Sequence, residues 1–312
     1  MKRRLAAQNL LVASAVSCIS FAGNPADQPE FKLRSDVRLV LLDVSVKDRE
    51  GGFVSGLSAG NFAVFENRRP QRITAFANDD LPVTVGILVD ESFSMTPKRA
   101  EVLAAAQTFI EESNPRDEVF VLNFNDKVRR GLPDRILFSD NIQQLGAALH
   151  RGFPEGKTAM NDAIVAGLEQ LELGRRDKKT LVVITDGGDN ASTHSRREMI
   201  EMVERTVATV YTIGLYDAED PYRDPGILRQ LAKISGGAAY FPASPSEMIP
   251  VCRRIAKDIR TRYTIGYIPP AENGSGSIRH IRVRATARDH TKLSVRTRSS
   301  YSYDEPSNAS KE

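Results

Sequence analysis

Cysteine is scarce in this sequence: its 312 residues include two cysteines, Cys18 and Cys252. Cys18 lies in an N-terminal segment that we predict to be removed, so an exported mature chain would have no internal disulfide. The hydrophobic core must then hold the fold together, and we expect Cys252 to be a small buried apolar residue. Apolar residues make up 41% of the chain and charged residues 27%, which is typical of a folded soluble protein.

An excess of charge of one sign is also missing from the expected mature chain. The full sequence has 43 basic and 40 acidic residues. Loss of residues 1–22 would remove Lys2, Arg3 and Arg4 but no acidic residue, which leaves 40 of each sign. Nucleic-acid-binding proteins concentrate positive charge on one face, so this balance gives no reason to expect a nucleic-acid partner.

Near the N-terminus, the apolar run is too short to cross a membrane. It covers residues 10–22, whereas a membrane-spanning helix needs roughly 20 apolar residues. The run follows a basic cluster and ends in Ser20-Phe21-Ala22, a small-x-small cleavage pattern. These features predict a signal peptide over residues 1–22 and export to the periplasm, the cell surface or the medium, with no stable membrane span in the mature chain.

Between residues 82 and 261, short β-branched runs alternate with longer stretches of helical periodicity. The expected strands include 82–90, 117–124, 180–186 and 208–216, and the expected helices include 158–171, 195–207, 225–236 and 246–259. Such alternation predicts an α/β domain with a doubly wound, mainly parallel sheet that helices cover on both faces. Thr96 and Pro97 predict that the helix after the first strand begins there.

The flanking segments, residues 30–81 and 262–303, show the alternation of apolar and polar residues that is typical of strands. Neither flank alone has enough strands for a stable unit, so we expect both to pair into one small, discontinuous β domain. The α/β domain would then be inserted between them. The outer face of the C-terminal strands is predicted to be solvated and to carry Arg282, Arg284, Arg296 and Arg298. Residues 304–312 are expected to form a flexible tail.

The segment GFPEGKT, residues 152–158, ends like a phosphate-binding loop. Such a loop has four residues between its first glycine and Gly-Lys-Thr, whereas three separate Gly152 from Gly156. Pro154 removes one of the required N–H donors, and the preceding segment is predicted to be a helix where a strand is needed. We therefore do not expect an NTPase, and the hydroxyl of Thr158 is left as a candidate Mg²⁺ ligand.

Other oxygen-bearing side chains are predicted to lie near this threonine. Asp90, Ser92 and Ser94 follow the first buried strand, and alternate residues of an extended loop point to the same side. Asp186 ends another buried strand, just before Gly187 and Gly188. The carboxyl ends of parallel strands meet at one edge of a sheet, which is where α/β folds bind their ligands.

Together these side chains form an all-oxygen set that suits Mg²⁺ or Mn²⁺ and suits Zn²⁺ poorly. If the hydroxyls bind directly and one or both aspartates act through water, the metal keeps net positive charge and an open position for an external carboxylate. Simpler interpretations remain for each part. Asp-Gly-Gly is commonly a turn, and Thr158 is a possible helix cap. Asp162 is either a surface carboxylate or a second-layer partner that steadies the loops, and the latter is slightly favoured.

The stretches DESFS (90–94), GKTAMNDAI (156–164) and ITDGGDN (184–190) resemble the von Willebrand factor type A domain family over roughly residues 82–260. The residues that match this family's metal-ion-dependent adhesion site are Asp90, Ser92, Ser94, Thr158 and Asp186. The resemblance implies a doubly wound α/β fold and a divalent cation whose coordination is completed by an acidic residue of a partner. The β-rich flanks are similar to an exported bacterial subgroup typical of acidobacteria. Lys157 departs from the family, in which small residues are common at this position.

We therefore expect a non-enzymatic adhesion or scaffolding module that captures a partner's Asp or Glu through Mg²⁺ or Mn²⁺. One alternative is a structural domain in which the metal only braces three loops. The other is an enzyme, either an NTPase or a hydrolase that uses Ser94 with a histidine such as His194.

Overall fold

The computed structural model describes residues 39–186, 188–216, 223–270, 277–287 and 292–303. The predicted signal peptide (1–22), the predicted tail (304–312) and Gly187 lie outside these residues. Within the described ranges, no helix is long and apolar enough to cross a membrane.

The described chain contains strands and helices with the following bounds. The strands are β1 (Val40–Lys47), β2 (Phe62–Glu66), β3 (Arg69–Gln71), β4 (Ile73–Ala77), β5 (Val83–Asp90), β6 (Glu118–Phe124), β7 (Val128–Arg130), β8 (Lys178–Thr185), β9 (Thr209–Gly214), β10 (Ala239–Tyr240), β11 (Tyr263–Tyr267), β12 (Ser277–Ala285), β13 (Ser294–Arg296) and β14 (Ser300–Tyr303). The helices are α1 (Arg99–Glu111), α2 (Ile142–Leu149), α3 (Met160–Glu172), α4 (Arg196–Arg205), α5 (Pro225–Ser235) and α6 (Met248–Arg260).

A six-stranded sheet forms the centre of the α/β region. Its order is β10-β9-β8-β5-β6-β7, and all neighbouring pairs are parallel except β6 and β7. β5 and β8 are buried along their whole length, as expected of strands covered on both faces. α1 packs against α2 and α6, while α4 packs against α3 and α5. The predicted doubly wound, mainly parallel sheet is confirmed, and Cys252 of α6 is buried as expected.

Two antiparallel sheets are built from the flanking segments, in the orders β13-β1-β11-β4 and β14-β12-β2-β3. β1 pairs with β11 and β13, and β12 pairs with β2, so strands that precede the α/β region pair with strands that follow it. Their apolar faces form a second core that includes Leu42, Val44, Tyr263, Ile265 and Val283. The central sheet is therefore inserted between N- and C-terminal strands, as predicted.

Helix α1 begins two residues later than Thr96 and Pro97 predict. Residues 93–98 form a 3₁₀ helix, in which the hydroxyl of Thr96 donates to the carbonyl oxygen of Phe93 at 2.6 Å. Thr96 closes this turn instead of capping α1, and Pro97 lies inside it, so α1 starts at Arg99. The turn brings Lys98 back towards the edge of the sheet where β5 ends.

Two of the four arginines predicted on the solvated outer face are partly or fully buried: Arg296 is partly buried and Arg298 is buried. The pair on β12 is exposed, as expected. Arg298 is buried and donates to main-chain carbonyl oxygens, among them that of Glu204 at 3.0 Å. Arg296 donates to the carboxylate of Asp258. The prediction is wrong for residues 296 and 298 because they face α4 and α6 instead of solvent.

The buried carboxylate of Asp258, on α6, connects the α/β region to the flanking strands. It accepts hydrogen bonds from the hydroxyls of Ser45 on β1 at 2.5 Å and Tyr211 on β9 at 2.7 Å. Arg296 also contacts it, and Nη2 of Arg262 lies 3.5 Å from its Oδ2. Burial raises the pKa of Asp258, but the charges of Arg262 and Arg296, together with the hydrogen bonds from Ser45 and Tyr211, outweigh burial and hold this pKa below its ordinary value. Groups from both regions thus neutralise one ionised carboxylate.

We predict that Asp258→Asn lowers the free energy of unfolding by about 3–5 kcal/mol at pH 7, because it leaves two guanidinium groups without their counter-charge. The folded pKa of Asp258 lies below the unfolded value of about 3.9, so its stabilising contribution is fully present above that pH. The contribution is lost as the pH falls through the folded pKa. The stability difference between wild type and variant should therefore shrink below about pH 4, as urea unfolding at pH 7 and pH 3 would measure.

Glu112→Gln is the control for this variant. Glu112 pairs with Arg253 at 2.8 Å, and the two side chains are 43% and 60% exposed. An exposed pair of this kind contributes less than about 1 kcal/mol. Equal losses in the two variants would contradict the connecting role of Asp258.

Candidate metal centre

Asp90 is the last residue of β5 and is buried at the carboxyl edge of the central sheet. Its Oδ1 accepts the N–H of Ser92 at 2.8 Å, and its Oδ2 accepts the hydroxyl of Thr185 at 2.6 Å. Burial raises the pKa of Asp90 to about 7, against the lowering effect of the hydrogen bonds from Thr185 and Ser92. Both oxygens are thus engaged by the protein, and the carboxyl group must lose its proton before it can act on a cation.

A chain of three side-chain oxygen atoms, each in contact with the next, runs from Ser92 through Ser94 to Asp186. Oγ of Ser92 lies 3.2 Å from Oγ of Ser94, which donates to Oδ1 of Asp186 at 3.0 Å. Neighbouring ligands of an octahedral Mg²⁺ lie about 3 Å apart, so these spacings fit a shared cation as well as hydrogen bonds. Ser92 and Asp186 are buried whereas Ser94 is exposed, so the group opens to solvent on the side of Ser94.

Lys98 adds a positive charge to this group that the sequence patterns did not reveal. Its buried ammonium donates to Oδ2 of Asp186 at 2.9 Å and to the carbonyl oxygen of Leu215 at 3.0 Å. The only sequence signal is that Lys98 follows Ser94 by four residues, about one helical turn. The ion pair compensates part of the negative charge that would otherwise attract a metal.

The main chain of Thr158 fixes this residue against the loop that follows β8. Its N–H donates to Oδ1 of Asn190 at 2.9 Å, and its carbonyl oxygen accepts the N–H of Asn190 at 3.0 Å. Thr158 is buried, and the N-cap residue of α3 is Ala159. The interpretation of Thr158 as a helix cap is therefore wrong, and its hydroxyl stays a candidate ligand.

The loops after β5 and before α3 are joined to each other by protein contacts. The N–H of Phe93 donates to the carbonyl oxygen of Gly156 at 3.2 Å. Arg99 binds the buried carboxylate of Glu91 at 2.8 Å and also the carbonyl oxygen of Gly152. A Cβ atom on Gly152 would lie 2.6 Å from Oε1 of Glu91, so this close approach requires glycine. Both loops thus keep their positions through the chain's own contacts.

Asp162, on the first turn of α3, braces the loop that follows β8. It accepts the N–H groups of Thr193 at 2.9 Å and His194 at 2.8 Å. Nδ1 of His194 lies 2.7 Å from its Oδ1. Burial raises the pKa of Asp162, but these hydrogen bonds outweigh burial and hold the pKa below its ordinary value. These contacts match the steadying role considered for Asp162.

The pair that a serine hydrolase would need is not formed by Ser94 and His194. The ring of His194 contacts Asp162, whereas the hydroxyl of Ser94 contacts Ser92 and Asp186. A nucleophile elbow carries its serine in the pattern Gly-x-Ser-x-Gly at a strand-to-helix turn. Ser94 is not part of that pattern.

The chain contains one match to the elbow pattern Gly-x-Ser-x-Gly, at residues 56–60. Its serine, Ser58, precedes a short 3₁₀ helix in the flanking region and bonds to Asn61 at 2.9 Å. The structure also gives no support to the phosphate-loop alternative, because helix α2 precedes Gly152 where such a loop requires a strand.

The donor set fits a hard cation, because it offers oxygen atoms alone. Its five members are Asp90, Ser92, Ser94, Thr158 and Asp186. Among the residues that the structure describes, no group of three or more His, Cys, Asp and Glu side chains could hold a metal ion. A metal at this edge would therefore depend on hydroxyl ligands, which Mg²⁺ and Mn²⁺ accept more readily than Zn²⁺ does.

Comparison with known proteins gives a family match within the central region. Residues 85–188 match the family model of the von Willebrand factor type A domain. An uncharacterized protein of Synechocystis sp. (strain ATCC 27184 / PCC 6803 / Kazusa) is 23% identical over 197 residues, which are 61% of this chain and 46% of the relative. The chain thus spans about half the length of the curated relative that it matches.

The fold is shared with a solved structure. A von Willebrand factor type A protein from Catenulispora acidiphila superposes with a TM-score of 0.51 at 14% identity, over 87% of this chain and 76% of that chain. The corresponding domain of the type V pili tip protein Mfa5 from Porphyromonas gingivalis gives a TM-score of 0.49 at 13% identity, over 58% of this chain and 95% of that chain. The narrower likeness to an acidobacterial subgroup stays a prediction.

We predict that Lys98→Met raises the affinity for Mn²⁺ and Mg²⁺ by about tenfold or more, because unit charges a few ångströms apart interact by several kcal/mol inside a protein. The variant frees the charge of Asp186 for the metal. Titration of Mn²⁺, followed by the electron paramagnetic resonance signal of the free ion, measures the change.

Lys178→Met is the matched control. Lys178 is a buried lysine that lies 3.9 Å from Asp43, at the opposite end of β8 from Asp186. Its removal should leave the affinity for Mn²⁺ unchanged. An unchanged or lower affinity in the Lys98 variant would show that its ammonium does not oppose metal binding.

Proposed function

We propose that the von Willebrand factor type A domain of this chain is a non-enzymatic protein-binding module. In this proposal Asp90, Ser92, Ser94, Thr158 and Asp186 hold a Mg²⁺ or Mn²⁺ ion, and an Asp or Glu side chain of the partner completes its coordination. The observation that carries the proposal is the consecutive contact of the oxygens of Ser92, Ser94 and Asp186, at 3.2 and 3.0 Å, on a solvent-open edge.

Charge explains why the partner would contribute a carboxylate. Three of the five side chains are neutral hydroxyls, and Asp186 already shares its charge with Lys98. Both oxygens of Asp90 accept hydrogen bonds from the protein, which favours a role for Asp90 through water instead of direct contact. A divalent ion in these surroundings keeps net positive charge, and the exposed Lys157 adds to it.

The contacts between the loops favour this function over a purely structural one. The loops on either side of the candidate site are already joined through Phe93 and Gly156 and through Arg99 and Gly152. A metal is therefore not needed to hold these loops together, which favours a binding role over bracing. The separate positions of Ser94 and His194 likewise give no support to a hydrolase.

We extend the proposal to location: the protein would act outside the cytoplasm, in the periplasm, at the cell surface or in the medium. This rests on the N-terminal pattern of residues 1–22, in which a basic cluster, a short apolar run and a small-x-small motif follow one another.

Thermal unfolding tests the metal site. We expect Mg²⁺ or Mn²⁺ to raise the midpoint relative to EDTA, since a ligand at 100 times its dissociation constant stabilises by about 2.7 kcal/mol. Addition of ATP to Mg²⁺ should change nothing further. The Ser94→Ala variant should lose most of the response, because it removes the exposed oxygen of the set.

Thr96→Ala serves as the control, since Thr96 lies in the same 3₁₀ helix but bonds to the carbonyl oxygen of Phe93. It should retain the metal response. A shift that requires ATP, or an equal response in Ser94→Ala and wild type, would overturn the proposed site. Partners that stay bound unchanged in EDTA would count against metal-dependent capture.

A further inference from the structure

Two phenylalanines are the most exposed large apolar residues of the described chain. Phe93 is 73% exposed and Phe153 is 60% exposed. Neither belongs to the two apolar cores, so neither ring contributes to holding the fold together. Exposed aromatic residues are enriched where a protein binds another protein.

Both rings lie on the loops that carry the candidate metal ligands. Phe93 stands between Ser92 and Ser94, and Phe153 lies five residues before Thr158 in the loop between α2 and α3. Each is therefore presented at the edge of the sheet where a partner's carboxylate would arrive.

The backbones beneath the two rings are fixed relative to each other. Phe93 donates its N–H to the carbonyl oxygen of Gly156 at 3.2 Å. Arg99 spans from the carboxylate of Glu91 to the carbonyl oxygen of Gly152, the residue immediately before Phe153. The two exposed rings thus project from backbone that is already fixed, so they offer a partner apolar surface without the entropic cost of ordering the loops.

This apolar surface adjoins positive charge. Lys157 is exposed beside Thr158, and a metal at the candidate site would add further positive charge. A surface that joins a cation to two aromatic rings complements a segment that joins a carboxylate to apolar side chains.

We propose that the partner presents its Asp or Glu within a segment whose neighbouring residues are apolar, and that these residues pack on Phe93 and Phe153. This inference rests on the proposed function and specifies the partner's chemistry. The metal selects the carboxylate, and the two rings select the residues on either side of it.

Labelled peptides that differ only around one aspartate test the inference. The probes are ten-residue peptides with the central sequence Leu-Asp-Leu or Ser-Asp-Ser, and a Leu-Asn-Leu peptide that lacks the charge. Fluorescence polarisation in Mg²⁺ and in EDTA measures their affinities. We expect Leu-Asp-Leu to bind at least tenfold more tightly than Ser-Asp-Ser, and both Leu-Asn-Leu and EDTA to abolish binding.

The double substitution Phe93→Ser and Phe153→Ser should reduce the affinity for Leu-Asp-Leu to that for Ser-Asp-Ser. Its thermal response to Mg²⁺ should match that of the wild type, because no ligand side chain changes. The control is Leu173→Ser, which removes a 58% exposed apolar residue just after the far end of α3. The control should leave all peptide affinities unchanged.

The outcomes separate the two proposals. Binding that needs Mg²⁺ but ignores the flanking residues, or that survives the double substitution, overturns this inference and leaves the metal-dependent function standing. Binding that is equal in EDTA overturns both. Failure of every peptide to bind overturns this inference, and the thermal response to Mg²⁺ then decides the metal site independently.

Two further measurements address other occupants of this surface. Sedimentation velocity compares the self-association of the wild type with that of the double variant, and co-sedimentation with phosphatidylcholine and phosphatidylglycerol vesicles tests a lipid surface. Self-association or vesicle binding that is lost in the double variant would assign the rings to those occupants and overturn the inference.

Discussion

The carboxylate of Asp258 loses its hydration when the protein folds, and a buried charge is tolerated only where other groups neutralise it. Those groups come from β1, β9 and the C-terminal flank, so the central sheet and the flanking strands must assemble around it together. A second buried carboxylate, Glu66, is satisfied within the flanking core by Arg279 at 2.7 Å and by the hydroxyls of Tyr267 and Tyr301. Such networks favour one arrangement of strands, because a half-satisfied polar network costs more than an apolar core.

The carboxyl edge of the central sheet differs from the junction at Asp258, because part of its polar surface is exposed to solvent. Asp90 and Asp186 are buried there, and each of their carboxylate oxygens accepts a hydrogen bond, one of them from the ammonium of Lys98. The hydroxyl of Ser94, which donates to Asp186, is exposed to solvent. The loops around this edge are held by the chain's own contacts. An edge with a fixed shape and a solvent-exposed hydroxyl is suited to binding, whereas the fully buried junction at Asp258 is suited to stability.

The elements that follow from local patterns were predictable from the sequence. Continuous β-branched runs such as 180–186 are typical of buried strands, and polar residues directly after such strands are expected at a sheet edge. Contacts between distant segments were not predictable. Alternation predicts that Arg298 faces away from Val295, but it does not show that the arginine follows the end of β13 and is covered by α4. Lys98 and Asp186 are 88 residues apart, and their ion pair depends on a 3₁₀ turn that the Thr96-Pro97 pattern does not indicate.

The chain enters and leaves the α/β region through neighbouring strands of one flanking sheet. β4 and β11 are antiparallel partners, with Ala77 opposite Thr264, so the entry and exit points are pinned side by side. A pulling force applied at residue 39 would first load the hydrogen bonds of β1 with β11 and β13, and one applied at residue 303 would first load those of β14 with β12. Force transmitted along the chain meets these strand pairs before it meets β5, so the flanking sheets shield the edge that carries Ser94 from force along the backbone for as long as they hold.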